Sequence, residues 1–327
     1  VSALRLRFGC GEYDRTRPLT DGTVAVEGIE LDWERVDVPH ELFVRVLDGE
    51  FDLAEFSLSG LTAAAARGDD RLIGIPVFTS RLFRHSFIFV HTDGPITMPQ
   101  DLIGKRVGIP DYTVTAAVWI RGMLQHDYGV APNQIEWCLG GLDRPVPVRP
   151  LGDRLPSDVK IGPVPEGKAL GQMLEDRELD AVISPGMPGV FKRRSPKVRR
   201  LFPDYRAVEE DYYRRTGIVP IMHTLAVRRS VYEENRWIAR RLFDAFCQAK
   251  QHAMAELGET GAPKVTMTWL QDAIERERAV FGDDPWPYGY QANRKTIEAF
   301  TAYSYEQGLC ERSVPAESLY AEELRAL

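Results

Sequence analysis

Histidines, arginines and a few acidic residues set inside apolar runs supply the acid–base and anion-binding chemistry of this 327-residue chain. His223 closes the apolar run Ile218-Val219-Pro220-Ile221-Met222 and precedes a second one, Leu225-Ala226-Val227. Imidazole titrates near neutral pH, which makes His223 the first choice for moving a proton. Two readings stand for it, a core imidazole bonded to a carbonyl and a proton carrier; its place where two strand-like pieces meet favours the second. Glu55 stands inside Glu50-Phe51-Asp52-Leu53-Ala54-Glu55-Phe56-Ser57, where burial would raise its pKa and let it act as an acid. Its other reading is a structural partner for a buried arginine. His85, Glu12 and Asp14 complete the proton-transfer candidates, whereas His40, His91, His126 and His252 fall in helix, turn or strand-end contexts away from candidate partners.

Anion binding points to Arg15, Arg81 and Arg84, each expected in a loop at the C-terminal end of a strand. The guanidinium fork matches a carboxylate in two parallel hydrogen bonds. Arg84 and His85 flank the start of a predicted strand, so alternation sends them to opposite faces and one of the two at most faces the site. Thr113 and Thr115 open a predicted helix, where hydroxyls and backbone N–H groups hold a carboxylate or simply cap the helix. Other chemistries are excluded. Gly9-Cys10-Gly11 follows a strand, but Asp14 occupies the third glycine position of a dinucleotide loop. The four cysteines, Cys10, Cys138, Cys247 and Cys310, form no C-x-x-C pair, which argues against a zinc site or a disulfide framework and for a reducing compartment.

The formal charge of −7 gives no footprint for nucleic acid or an anionic membrane surface. No apolar stretch is long enough to span a bilayer. The first twenty residues, carrying Arg5, Arg7, Glu12, Asp14, Arg15 and Arg17, hold no apolar leader region, so the cytoplasm is the expected location.

The elements that must position these groups follow from periodicity. A strand covers Leu4 to Phe8, a helix Pro39 to Asp48, and a buried strand the residues around Glu55. A second helix, Ala169 to Asp176, leads into Arg177-Glu178-Leu179-Asp180-Ala181-Val182-Ile183-Ser184 with the same layout of acidic residue, aspartate, apolar strand and serine. Ser57 and Ser184 are therefore equivalent points in two similar α/β units, with parallel sheets and crossover helices. A strand near Arg106 to Gly108, a helix from Thr115 to His126 and a strand through Ile135-Glu136-Trp137 build the second unit. Arg144 to Pro165 is a long connection, and the last third is helical over Val231–Leu257, Val265–Phe281 and Ala292–Gln307. A turn heavy with aromatics, Pro285-Trp286-Pro287-Tyr288-Gly289, separates the last two. Strands Ser86–Val90 and Leu225–Val227 are read as crossings between two lobes, residues 1–91 with 225–327 and residues 92–224, with the ligand cleft at the crossover.

This organisation resembles the type II periplasmic-binding-protein-like fold, an α/β clamp of two mixed sheets with helices on both faces and a helical C-terminus. The stretch Ile96-Thr97-Met98-Pro99-Gln100-Asp101-Leu102-Ile103-Gly104-Lys105-Arg106-Val107-Gly108 is similar to the start of the second lobe in that fold. More specific stretches narrow the likeness. They are Gly11-Glu12-Tyr13-Asp14-Arg15-Thr16, Arg81-Leu82-Phe83-Arg84-His85-Ser86, Leu201-Phe202-Pro203-Asp204-Tyr205, Tyr212 through His223, and Trp286-Pro287-Tyr288-Gly289. Together they resemble the 4,5-dihydroxyphthalate decarboxylase family.

The resemblance implies loss of one carboxylate from 4,5-dihydroxyphthalate, giving protocatechuate and carbon dioxide. Direct departure of carbon dioxide would leave an aryl carbanion in an sp² orbital, so the ring carbon is protonated first with help from a para phenolate. That route needs a proton donor, for which His223, His85 and Glu55 are the candidates. It also needs substrate-binding groups: Arg81, Arg84, Arg15, Tyr13, Asp14, Ser57, Thr113, Thr115 and Ser184. It requires no redox cofactor. A divalent metal on Glu12, His85 and His223 is chemically compatible, though no spacing demands it. The expected partner is a small aromatic carboxylate, with a homo-oligomer compatible with the sequence; the competing reading is a non-catalytic binding protein for such a solute.

Overall fold

The computed structural model describes residues 3–146 and 155–327, so part of the predicted Arg144–Pro165 connection, residues 147–154, lies outside the described residues. In chain order the strands are β1 (Leu4–Cys10), β2 (Ile29–Arg35), β3 (Leu53–Ser57), β4 (Leu72–Arg81), β5 (Ile88–His91), β6 (Arg106–Ile109), β7 (Glu136–Leu139), β8 (Ile161–Pro163), β9 (Ala181–Ile183), β10 (Val198–Arg200) and β11 (Ile221–Arg228). The helices are α1 (Arg17–Thr20), α2 (Pro39–Leu47), α3 (Leu58–Arg67), α4 (Thr115–Tyr128), α5 (Leu170–Glu175), α6 (Gly189–Lys192), α7 (Tyr205–Thr216), α8 (Arg229–Glu234), α9 (Trp237–Leu257), α10 (Leu270–Phe281) and α11 (Tyr290–Glu306).

Two compact units divide the chain. Val1–Arg81, Ile221–Ile297 and Pro315–Leu327 form the first; Leu82–Pro220 and Glu298–Val314 form the second. The predicted boundaries after residues 91 and 224 thus shift to Arg81 and Pro220. The cause is pairing: β5 bonds to β9 and β10 of the second sheet, and β11 already begins at Ile221. The end of α11 groups with the second unit rather than the first.

The first sheet has the order β2-β1-β3-β11-β4. Strands β1, β2 and β3 run parallel, and β11 runs antiparallel to both β3 and β4. Pro76 sits within β4, which lies at the sheet edge, where a missing N–H is tolerated. The core here joins the sheet to α9, whose Leu242, Phe246 and Ala249 are buried at helical spacing, with Phe246 edge-on to Phe8 at 5.9 Å. Each such large side chain contributes about 1.5–3 kcal/mol on burial. Behind α9's sequence the predicted single helix Val231–Leu257 breaks at Asn235 and Arg236 into α8 and α9.

The second sheet has the order β10-β5-β9-β6-β7-β8. Read from β7, it repeats the first: β7-β6-β9-β5-β10 matches β2-β1-β3-β11-β4 in order and direction, with β8 added at the edge. Strands β3 and β9 hold the same place in each, as the shared sequence layout predicts. Inside this unit Trp119, Trp137 and Tyr112 are fully buried.

Candidate active site

Parallel pairing of β1 with β3, and the antiparallel β11 between β3 and β4, bring the carboxyl ends of β1, β3 and β4 to one end of the first sheet, where β11 starts. His223 aligns with Ser57 on one side and Ser80 on the other, and Ile221 aligns with Arg81. Ligands of open α/β sheets gather at this end. The register against β4 shifts on both sides of His223, between Ile221 and His223 and again before Leu225. Such irregularities re-aim a side chain out of strict alternation. The imidazole packs edge-on against Phe43 at 5.0 Å and stays partly exposed, with 17% of the side chain accessible.

Glu55, two residues before Ser57 on β3, is 1% exposed and surrounded by donors. His223 Nδ1 lies 2.6 Å from its Oε1. The Tyr13 hydroxyl donates to it at 2.9 Å, the Gly11 N–H at 3.3 Å and the Cys10 thiol at 3.6 Å. Burial alone would raise this carboxyl. The hydrogen bond and charge of His223, the Gly11 N–H and the Tyr13 hydroxyl outweigh burial and bring it down to about 2. Here the sequence reading is corrected: Glu55 is an anion, not a raised-pKa acid, because four donors reach a carboxylate that was expected among apolar neighbours. Its partner is a histidine rather than a buried arginine. Since the carboxylate has no proton to give, the short bond places hydrogen on His223 Nδ1, and Nε2 has no hydrogen-bond partner among the described residues. The same anion, after burial, pushes the Tyr13 phenol and the Cys10 thiol up.

Gly9-Cys10-Gly11 explains how this packs. A Cβ on Gly11 would stand 2.9 Å from the Tyr13 ring, so glycine is what lets Tyr13 fold back over Glu55. Arg15 follows in the same turn. Its guanidinium lies 4.4 Å from the Tyr13 ring centroid and 4.5 Å from that of Trp286. Nε donates to the Thr79 carbonyl at 3.1 Å, Nη2 donates to the same oxygen, and Nη1 reaches Asp14 Oδ1 at 3.0 Å. Arg81, the last residue of β4, is buried and donates to the Pro287 carbonyl at 3.1 Å. Ser57 accepts from the Gly60 N–H at 3.2 Å and caps α3, and Glu12 pairs with Arg35 at the surface.

The remaining candidates belong to the second unit. Arg84 and His85 are both buried, and His85–Phe87 is a 3₁₀ turn rather than the start of a strand, so alternation does not separate them. Arg84 donates to the Pro185 carbonyl at 2.9 Å, and burial lowers its pKa to about 10. His85 is enclosed by the rings of Tyr212, Phe202 and Tyr128 at 5.2, 5.4 and 6.3 Å, and neither ring nitrogen has a partner. Burial, with Arg215 nearby, lowers it to about 4, which keeps it neutral. Thr113 donates to Asp111 at 2.9 Å, α4 begins at Thr115 without a side-chain cap, and Ser184 donates to the Gly186 carbonyl. Among the described residues no group of three or more His, Cys, Asp or Glu side chains is placed to hold a metal ion.

Sequence reasoning missed the roles of Trp286 and Cys10 at this site. The aromatic turn was visible as a pattern, but nothing local ties residue 286 to residue 15.

The order and directions of the two sheets are those of the type II periplasmic-binding-protein-like fold. The periplasmic aliphatic sulphonate binding protein SsuA from Escherichia coli matches this chain with a TM-score of 0.55 at 14% identity, covering 100% of both chains. No family model matches the chain. A 4,5-dihydroxyphthalate decarboxylase from Comamonas testosteroni is 38% identical over 328 residues, 100% of this chain and 99% of that one. A second, from Pseudomonas putida, is 38% identical over 215 residues, 65% and 83% of the two chains. The chain belongs to the 4,5-dihydroxyphthalate decarboxylase family.

Proposed function

We propose that the protein removes one carboxylate from 4,5-dihydroxyphthalate without oxidation, with His223 as the proton carrier. The observation that carries this reading is the 2.6 Å contact between His223 Nδ1 and an ionised, buried Glu55, which leaves Nε2 without a partner among the described residues. Protonated at both nitrogens, His223 has its charge offset by Glu55. Nε2–H then gives its proton to the ring carbon bearing the departing carboxylate. The carbon–carboxyl bond breaks, its electron pair restores the aromatic ring, and carbon dioxide leaves. One proton is consumed, and His223 regains it from water. A general acid of this kind contributes about 10²–10⁴-fold.

Arg15 and Arg81 anchor the retained carboxylate, the former held by two rings and a carbonyl before any ligand arrives. No electrons change hands, so the scheme calls for no redox cofactor. The cytoplasm suits this enzyme, since its four cysteines all stand as free thiols and three of them are buried. No helix among the described residues is long and apolar enough to cross a membrane.

Incubation with 4,5-dihydroxyphthalate, followed by chromatography for 3,4-dihydroxybenzoate and by carbon dioxide release, tests the reading. Turnover is expected in the wild type and a loss of at least about 10²-fold in His223→Gln. Saturable binding without carbon dioxide release would make the protein a solute binder instead.

A further inference from the structure

Lys250 lies on α9, and its side chain is 9% exposed. A buried ammonium is costly unless it is paired and hydrogen-bonded. Nζ donates to Asp284 Oδ2 at 2.5 Å and to the Trp286 carbonyl at 2.9 Å, and it stands 5.0 Å from the Tyr288 ring centroid. Asp284 Oδ1 in turn accepts the Trp286 N–H at 3.1 Å. One lysine therefore fastens the turn Pro285-Trp286-Pro287-Tyr288-Gly289 from beneath.

That turn is the outer wall of the anion anchors. The Trp286 indole N–H donates to the Phe78 carbonyl at 2.7 Å, one residue before the carbonyl that Arg15 holds. Its ring faces the Arg15 guanidinium, and the next carbonyl, Pro287, takes Arg81. Without the wall, Arg15 keeps Tyr13 and Thr79 but loses the second ring that fixes its plane. A guanidinium held in one plane forms its two parallel bonds to a carboxylate with less side-chain ordering left to do, so loosening that plane weakens the anchor.

We propose that Lys250 is a positioning residue for the substrate's carboxylate anchor. Through Asp284 and Trp286 it sets the orientation of Arg15, and through Pro287 that of Arg81. The identity of the anion rests on the decarboxylase reading; the orienting role does not.

The test compares wild type, Lys250→Met and Lys250→Arg. Two rings beside Arg15 displace its side-chain NMR signals by ring currents, and loss of a signal in Arg15→Lys assigns them. In Lys250→Met these signals should return toward those of an exposed arginine. The Kd for phthalate, an unreactive diacid, and the KM for 4,5-dihydroxyphthalate should each rise about tenfold or more, the scale of one mis-set charged hydrogen bond. The kcat should stay within about threefold, because proton transfer is left intact. Lys250→Arg should restore most of the affinity. Should Lys250→Met fail to fold, Asp284→Asn cuts the same link from the exposed side.

Unchanged Arg15 signals overturn the proposal whatever the activity, as does phthalate affinity within twofold of wild type once those signals have moved. Wild-type protein that does not bind phthalate also overturns it. Wild-type protein that binds phthalate but releases no carbon dioxide sinks the decarboxylase reading alone, since signals and affinity still report on Lys250.

Discussion

Replacing Glu55 by glutamine removes one charge from the centre of the site and little volume. The carboxylate takes four donors on two oxygens. A carboxamide offers one oxygen, and its NH2 must face either His223 Nδ1 or the Gly11 N–H. Keeping the histidine bond sets two donors against each other at Gly11, and the other orientation loses the histidine. A charged hydrogen bond is worth about 1.5–3 kcal/mol, and stripping one partner from a buried pair costs about 3–5 kcal/mol. The pKa gives a second route. Held at about 2 against an ordinary 4.5, Glu55 stabilises the fold by about 3 kcal/mol at neutral pH. That contribution is complete above about pH 4.5 and vanishes as the pH falls through about 2. On the charged-hydrogen-bond scale, losing about 3 kcal/mol of support for a protonated His223 corresponds to about 10²-fold in kcat. Glu55→Gln should therefore lower kcat by about 10²–10³-fold with KM nearly unchanged, read by carbon dioxide release. Its unfolding free energy should fall about 3 kcal/mol below wild type at pH 7, and the gap should close on acidification below pH 4. A variant that keeps kcat within threefold would refute the argument that Glu55 orients His223 and offsets its charge.

Other consequences are simpler to read. His85→Phe should leave stability within about 1 kcal/mol of wild type or raise it, since neither ring nitrogen has a partner to lose; a loss beyond about 2 kcal/mol in denaturant unfolding would reveal a bond that the structure does not contain. In NMR titration, wild-type His85 should stay neutral from pH 8 down to about 5, because burial lowers it to about 4. Gly122→Ala should destabilise by about 1–3 kcal/mol or more, because a Cβ there would stand 2.1 Å from the Tyr303 ring, where α4 and α11 approach within the second unit. A melting temperature equal to wild type would show that Tyr303 has room to turn.

Much of the fold was legible because it is written in local periodicity. The apolar run around Glu55 and its counterpart before Ser184 share a layout, and β3 and β9 indeed hold the same place in two sheets of one order. The unit boundaries were less legible. Ser86–Val90 is apolar whichever sheet it joins, and only its hydrogen bonds to β9 and β10 decide the matter. The site divides in the same way. His223 stands out by type and position, but its aim depends on register shifts against β4, which no pattern within β11 encodes. Glu55 was visible as an acid in an apolar run. Its charge state was not, since the donors come from residues 10, 11, 13 and 223 and a residue-by-residue reading sees burial without its compensation.

The glycine loop after β1 has a consequence for how such a site could change. In many strand-end loops a backbone N–H waits for an anion brought by a ligand. Here the Gly11 N–H is already taken by Glu55, and the space beside it is filled by Tyr13. The chain has supplied its own resident anion at a place where such a loop would otherwise offer its N–H groups to a ligand. Site polarity is thus set by the protein's own residues, and converting the scaffold to a phosphate or sulfonate receptor would begin with evicting one carboxylate.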